Sequence, residues 1–129
     1  MKAFLYDFLN VITYISVYIH VLNHLHFSVR PLGVRIMPSH GLCKEGLVVD
    51  FRCRAWGSRP AAEITWWMKT FRLYNVTGRI VDRDSSSSSL SIIPLASDHG
   101  NVITCKAENP RLPGRIAVDN VTLNVTCEY

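Results

Sequence analysis

The chain is predicted to fold as an all-β sandwich of two facing sheets, with a short extra segment before it. Three residues carry this prediction: Cys53, Trp66 thirteen positions later, and Cys105, which follows Cys53 by fifty-two positions. Both cysteines lie on stretches of alternating apolar residues, and this spacing is typical of a disulfide that joins two sheets around a buried indole. No helical period runs through residues 30–127.

Length and composition favour one folded domain. The 129 residues are 48% hydrophobic and 19% charged, which excludes disorder of the whole chain and leaves room for one domain plus a short segment. The net charge of +4 comes from scattered arginines without a basic run. We therefore expect no nucleic-acid partner and at most a weak attraction to acidic glycans.

Residues 1–28 are hydrophobic and are not expected to belong to the sandwich. A basic start and an apolar stretch resemble a secretory signal, but Asp7 and Asn10 interrupt it and no small-residue cleavage site follows. The segment is thus either a weak signal or anchor, or a spurious start foreign to the mature protein. Its three histidines have no carboxylate or cysteine beside them, so no metal site is predicted.

The domain is predicted to span residues 30–127, beginning with a linker that leads into a first strand. That strand has a short alternation at Val34 and Ile36 and is expected to run parallel beside the last strand. Residues 47–55 alternate with a period of two, which predicts a half-buried strand. Its inward positions are Val49, Phe51, Cys53 and Ala55.

The next strand, residues 64–69, contains two tryptophans. Ile64 and Trp66 share the inward phase, so Trp66 is predicted to be the core tryptophan. Trp67 has the outward phase, and it either packs under a neighbouring long side chain or contributes to a contact surface. Residues 72–76 predict a following edge strand.

The five serines Ser85–Ser89 are predicted to form a flexible tip, since they lie between polar residues and show no apolar alternation. Leu90 and Ile92 then indicate a strand, with Leu95 as a further inward anchor. Asp98 is expected to stabilise the following turn through local hydrogen bonds.

The two final strands again alternate, with a loop over Pro110 to Val118 between them. Their inward positions are predicted to be Ile103, Cys105, Ala107, Val121, Leu123 and Val125.

The four cysteines predict one disulfide and leave a second open. A Cys53–Cys105 bridge closes a loop of about 50 residues, which stabilises the fold by about 4 kcal/mol in the chain-entropy model. Disulfides persist outside the cell, so the bridge also predicts an extracellular domain. Cys43 and Cys127 are expected at the same pole of the sandwich. They either form a second bridge, or stay unpaired or pair with sequence beyond this chain.

Three N-glycosylation sequons support an extracellular location. They begin at Asn75, Asn120 and Asn124, and the last two share the outward face of the final strand.

We predict no enzyme activity and no cofactor. Ser97, Asp98 and His99 are consecutive in a tight turn, and consecutive side chains cannot converge as a catalytic triad does. No phosphate loop, nucleophile elbow or zinc-protease motif occurs.

Three stretches carry a family resemblance: CRAWGSRPAAEITWW, SDHGNVITCKAENP and VTLNV. Together they resemble an immunoglobulin-superfamily adhesion domain of the C2 or I type over about residues 30–127. The combination of GSRP, ITWW and CKAEN is similar to the inner domains of arthropod Sidestep-like proteins, and RPLGVRI resembles the start of their third domain. The tyrosine common two positions before the second cysteine is Ile103 here, so no tyrosine corner is expected.

The resemblance implies a cell-surface receptor or ligand with several tandem immunoglobulin domains, a membrane anchor and a role in adhesion or axon guidance. It implies a partner of the same superfamily, namely a Beaten-path-type receptor. Because the chain ends at Tyr129 without a membrane span, we expect it to be part of a longer protein. The domain then either recognises a partner directly or serves as a structural spacer. The contact candidates are Trp67, Arg72, Arg111 and Arg115.

Overall fold

The computed structural model describes residues 10–18, 30–31 and 33–127. Residues 10–18 form a helix, and no helix within these ranges is both long enough and apolar enough to cross a membrane. Most of the hydrophobic segment 1–28, including its three histidines, lies outside the described residues.

The strands of the described residues form two sheets, so the predicted all-β sandwich is confirmed. One sheet has four strands in the order β1-β3-β7-β6, and the other has five in the order β2-β9-β8-β4-β5. The strands are β1 (Gly33–Met37), β2 (Gly41–Lys44), β3 (Val49–Trp56), β4 (Glu63–Met68), β5 (Phe71–Leu73), β6 (Val76–Val81), β7 (Ser85–Ile92), β8 (Val102–Glu108) and β9 (Ile116–Thr126).

The first strand of the sandwich is divided between the two sheets, where the sequence predicted one strand parallel to the last. Only β2 runs parallel to β9, whereas β1 pairs antiparallel with β3. Pro38 follows β1 and has no N–H to donate, so the ladder stops there. A side chain at Gly41 would overlap the Thr122 carbonyl, so glycine is needed where the chain joins β9. The Ile36 N–H donates to Asp119 Oδ2 at 2.8 Å, which links β1 to β9.

The core lies between the sheets around the disulfide. Cys53 and Cys105 are bonded with their Cα atoms 6.5 Å apart, and both are fully buried. Trp66 is fully buried and is paired in register with Cys105 on the adjacent strand. The predicted disulfide and core tryptophan are therefore present. The remaining buried core side chains include Ile36, Phe51, Leu90, Ile103, Val121 and Leu123.

The serine run is a strand inside the four-stranded sheet, so the predicted flexible tip is wrong. Ser86 and Ser88 face the core and are buried. The indole Nε1–H of Trp66 donates to Ser88 Oγ at 2.9 Å, and Ser86 Oγ donates to the Ala62 carbonyl at 2.7 Å. These bonds satisfy the buried hydroxyls, and the small side chains leave room for the indole.

The stretch 72–76 is not one edge strand. β5 ends at Leu73 on the edge of the five-stranded sheet, and β6 begins at Val76 in the opposite sheet. Tyr74 and Asn75 carry the chain from one sheet to the other. The predicted edge strand is wrong, because the sequence pattern does not show where a chain passes from one sheet to the other.

In the turn between β7 and β8, the predicted inward position of Leu95 is wrong and the predicted hydrogen bond of Asp98 is confirmed. Leu95 is 58% exposed, and Pro94 is buried in its place because β7 has already ended at Ile92. The Asp98 carboxylate accepts the Leu95 N–H at 2.9 Å, which is the local turn bond expected from the sequence. The loop before β9 is also shorter than predicted, since β9 begins at Ile116.

Candidate functional site

Trp67 lies on the outer face of the five-stranded sheet and is half-buried. Lys106 Nζ lies 4.4 Å from the centroid of the Trp67 ring, and the Trp67 Nε1–H donates to Thr65 Oγ1 at 2.8 Å. The indole therefore packs under a neighbouring long side chain, the first of the two alternatives for this residue, and the part of the ring that stays exposed is available for the second, a contact surface. The two contacts hold the ring in one orientation on the surface.

A polar row crosses this face next to Trp67. Arg72 on β5 and Thr104 on β8 flank Trp67 in register, and Asn120 on β9 follows Thr104. The Arg72 guanidinium lies 4.9 Å from the centroid of the Tyr74 ring. Trp67 and Arg72 are thus adjacent, as their positions in the sequence suggest.

Arg111 and Arg115 lie elsewhere, in the loop between β8 and β9. Asn109 anchors this loop, since its Nδ2 donates to the Arg59 carbonyl at 2.7 Å and its Oδ1 accepts the Arg111 N–H at 2.9 Å. The Gly114 N–H donates to Glu108 Oε1 at 2.8 Å. The loop follows Glu108, four residues beyond Thr104 beside Trp67, so the four contact candidates fall at two separate places.

All three sequon asparagines are exposed. Asn120 and Asn124 lie on the outward side of β9, on the same face as Trp67, and Thr104 Oγ1 donates to Asn120 Oδ1 at 2.7 Å. Asn75 lies at the crossing between the sheets. A glycan at Asn120 would stand two strands away from Trp67.

Cys43 and Cys127 are free thiols, so the possible second disulfide is not formed in this structure. Cys43 is half-buried against the core and is paired in register with Val125, whereas Cys127 lies exposed beyond the end of β9. The Cys43 Sγ is 3.8 Å from the Asn124 carbonyl, and the Cys127 thiol donates to Glu45 Oε2 at 3.0 Å. The two sulfurs thus have different partners on the same pole.

The surroundings of both thiols favour the neutral form. Burial raises the pKa of Cys43, with a smaller contribution from the negative charge of Asp98. The hydrogen bond to Glu45 is the main cause of the raised pKa of Cys127. A raised pKa lowers the thiolate fraction and with it the nucleophilicity of both sulfurs.

The outer face of the four-stranded sheet contains a groove that sequence reasoning missed. Its volume is about 720 Å³, and it runs beside the serines of β7. Its larger lining side chains include Arg35, Arg52, Arg54, Trp56, Ile80 and Asp82. These residues come from β1, β3 and β6, which are distant in sequence, and from Asp82 just after β6. The alternating arginines of β3 were the one signal of the groove in the sequence.

The described residues contain no group of three or more His, Cys, Asp or Glu side chains that could hold a metal ion. Asp98 is bound within its own turn, and His99 Nδ1 accepts the Val125 N–H at 3.1 Å. These two neighbours of Ser97 are thus engaged in separate structural contacts.

Residues 35–116 match the family of CD80-like C2-set immunoglobulin domains. The chain belongs to this family. Immunoglobulin domains of the C2 set are typically not enzymes. None of the curated proteins matches the chain.

Solved structures with a similar fold come from several multidomain proteins. The chain is 26% identical to the full ectodomain (Ig1–Ig3) of mouse nectin-like molecule 4, with a TM-score of 0.59, and the match covers 75% of this chain and 33% of that one. Rst D1–D2 is 24% identical with a TM-score of 0.66, over 74% of this chain and 49% of that one. A chain from the complex of Dpr2 Ig1–Ig2 with DIP-Theta Ig1–Ig3 is 13% identical with a TM-score of 0.63, over 77% and 33%.

The chain spans about half the length of Rst D1–D2 and a third of the nectin-like ectodomain. The C2-set assignment agrees with the C2-type resemblance of the sequence.

Proposed function

We propose that this domain is an adhesion or recognition module in the extracellular part of a cell-surface protein. The observation that carries the proposal is the C2-set match over residues 35–116, which the likeness to a nectin-like ectodomain supports. The domain occupies residues 30–127. Its disulfide and three exposed sequons fit an oxidising, secretory environment.

The proposed recognition surface is the outer face of the five-stranded sheet around Trp67 and Arg72. A tryptophan that is already fixed by Lys106 and Thr65 loses little conformational freedom on binding, and tryptophan and arginine are enriched among residues that dominate interface energies. The loop between β8 and β9, which Asn109 anchors, contains Arg111 and Arg115 and is the second contact candidate.

The proposed partner is a cell-surface protein of the immunoglobulin superfamily. The resemblance to Sidestep-like proteins points to a Beaten-path-type receptor, a role in axon guidance and a membrane anchor in the full-length protein. Two tandem immunoglobulin proteins, Dpr2 and DIP-Theta, form a complex with each other, which illustrates this mode of pairing in the same fold.

The alternative function is a structural spacer that sets the distance between other domains. The sequons on β9 favour it, since glycans at Asn120 and Asn124 would occupy the face that contains Trp67. A spacer needs the stable sandwich but no exposed contact residue.

A binding experiment separates the two functions. The chain would be tested against cell-surface immunoglobulin-superfamily receptors, including Beaten-path-type proteins, by surface plasmon resonance. We expect binding that Trp67→Ala weakens by about tenfold or more, since a buried aromatic contact contributes on the order of 2 kcal/mol. Trp56→Ala is the matched control, because Trp56 is also partly exposed but lies on the opposite sheet.

The recognition proposal fails if no receptor binds the chain, or if both tryptophan variants bind as the unchanged chain does. Thermal unfolding of both variants shows whether a loss of binding reflects a loss of the fold.

A further inference from the structure

The groove on the four-stranded sheet exists because its floor is made of serines. Ser85 and Ser87 of β7 lie between the longer side chains of β3 and those of β6. Ser87 is also covered by Arg52, whose Nη2 donates to Ser87 Oγ at 3.4 Å. Small side chains on an inner strand thus leave a channel between two rows of larger ones.

The charges in the groove are not balanced by the protein. Arg35 and Arg54 lie directly opposite each other on β1 and β3, an arrangement in which like charges destabilise a sheet. Among the described residues, neither of these two arginines forms an ion pair. The lining has three arginines, the third being Arg52, against one carboxylate, Asp82, which leaves two net positive charges.

Trp56 adds a flat apolar surface beside these charges. It follows Arg54 on the same face of β3 and is 41% exposed. Its ring lies over Gly33 of β1, where any side chain would overlap the indole. Glycine at position 33 therefore allows the ring to lie across the neighbouring strand.

We propose that this groove binds a sulfated polysaccharide of the glycosaminoglycan type. Arginine binds tetrahedral oxyanions through two parallel N–H donors, and an exposed indole offers a surface on which a pyranose ring can stack. The Cα atoms of the opposed pair are about 5 Å apart and those of Arg52 and Arg54 about 7 Å. Such spacing suits a polymer with closely placed negative groups. An acidic peptide would satisfy the charges but would not use the indole in this way.

The proposal goes beyond protein recognition, because the groove and Trp67 lie on opposite faces of the sandwich. The groove brings together Arg35, Arg52 and Arg54, which are scattered along the sequence. It therefore predicts binding at one place rather than a diffuse attraction over the surface.

The test is the affinity of the full chain for a heparin-derived octasaccharide, measured by isothermal titration calorimetry at physiological ionic strength. The variant Arg35→Gln/Arg54→Gln removes two charges from the groove. The matched control Arg72→Gln/Arg111→Gln removes two exposed charges elsewhere. We expect the groove variant to bind the octasaccharide at least about tenfold more weakly, which is about the effect of losing one charge-assisted hydrogen bond. The control variant should lose less than about threefold in affinity.

Equal losses in the two double variants would mean general charge attraction and would overturn the proposal, as would an absence of binding by the unchanged chain. A glutamate peptide of equal charge is titrated in parallel. If the peptide binds more tightly than the octasaccharide, the assignment to a sulfated glycan is wrong. Purified components are used throughout, so either result leaves the receptor experiment with Trp67→Ala unaffected.

Discussion

The two sheets share one disulfide and one buried indole but present different chemistry to solvent. The outer face of the five-stranded sheet carries an oriented tryptophan, a polar row and two sequons. The outer face of the four-stranded sheet carries three arginines around a groove with a floor of serines, and its strands contain no sequon asparagine. Apart from the buried serines of β7, the inward positions of both sheets are mainly apolar, so the two sheets differ most at their outward positions.

This contrast separates stability from recognition in the molecule. Inward residues alternate strictly on β3, β8 and β9 and fix the sandwich. Outward residues of the same strands contribute little to the core, so each face can present its own chemistry. The strongest test of the contrast is therefore to break the link between the sheets and then to change one face at a time.

The largest effect is expected for removal of the disulfide. Cys53→Ala/Cys105→Ala should lower the free energy of unfolding by about 4 kcal/mol, because the unfolded chain regains the entropy of a loop of about 50 residues. Typical domains have a net stability of only about 5–15 kcal/mol. Urea denaturation measures the change, and a loss below about 1 kcal/mol would show that packing alone holds the sheets together.

The next effect concerns the hydrogen bond that joins the sheets at the core. Ser88→Ala leaves the buried indole N–H of Trp66 without its acceptor, which should cost about 1–3 kcal/mol of unfolding free energy. Ser89→Ala is the control, since Ser89 is only partly buried and should change stability by less than about 0.5 kcal/mol. Equal losses in urea denaturation would contradict a specific role for Ser88.

A smaller effect of opposite sign is expected on the four-stranded face. Arg54→Gln removes the like-charge pair with Arg35 and should raise the unfolding free energy by about 0.2–1 kcal/mol at low salt. The gain should vanish at about 1 M salt, where the screening length is only about 3 Å. Arg72→Gln, on the other sheet, should show no such gain. A gain that persists at high salt would point to a cause other than repulsion.

The smallest effect concerns the raised pKa of Cys127. Glu45→Gln removes the carboxylate that accepts the hydrogen bond of the thiol, so the pKa of Cys127 should fall and its thiolate fraction at pH 8 should rise. Because the thiolate is the reactive form, alkylation of Cys127 by iodoacetamide should become faster. Mass spectrometry of the labelled chain measures the rate, with Glu63→Gln as a control on a distant strand. An unchanged rate in Glu45→Gln would contradict the proposed bond.

The sequence predicted those parts of the fold in which apolar residues occupy the inward positions and polar residues the outward ones. Alternation identified the inward positions of β3, and the spacing of Cys53, Trp66 and Cys105 identified the inter-sheet core. The strand formed by the serine run was not predicted, because Ser86 and Ser88 are polar and hydrogen bonds compensate for their burial. The alternation of apolar and polar residues reveals buried apolar side chains but not buried polar ones.

The surface sites depended on contacts between distant strands. Trp67 and Arg72 could be placed together because one hairpin joins them. The groove was invisible, since Arg35, Trp56 and Ile80 meet only after three strands pair. The crossing at Tyr74 and Asn75 was missed for the same reason, because a strand gives no sign of the sheet it joins.

The divided first strand has a consequence for self-association. Interrupted at Pro38, it gives one sheet a border of five residues and the other a border of four. Edges this short offer little template for a second molecule to add a strand, and the Ile36 N–H already donates to Asp119. The divided first strand therefore keeps one edge of each sheet short and limits strand addition by a second molecule at those two edges.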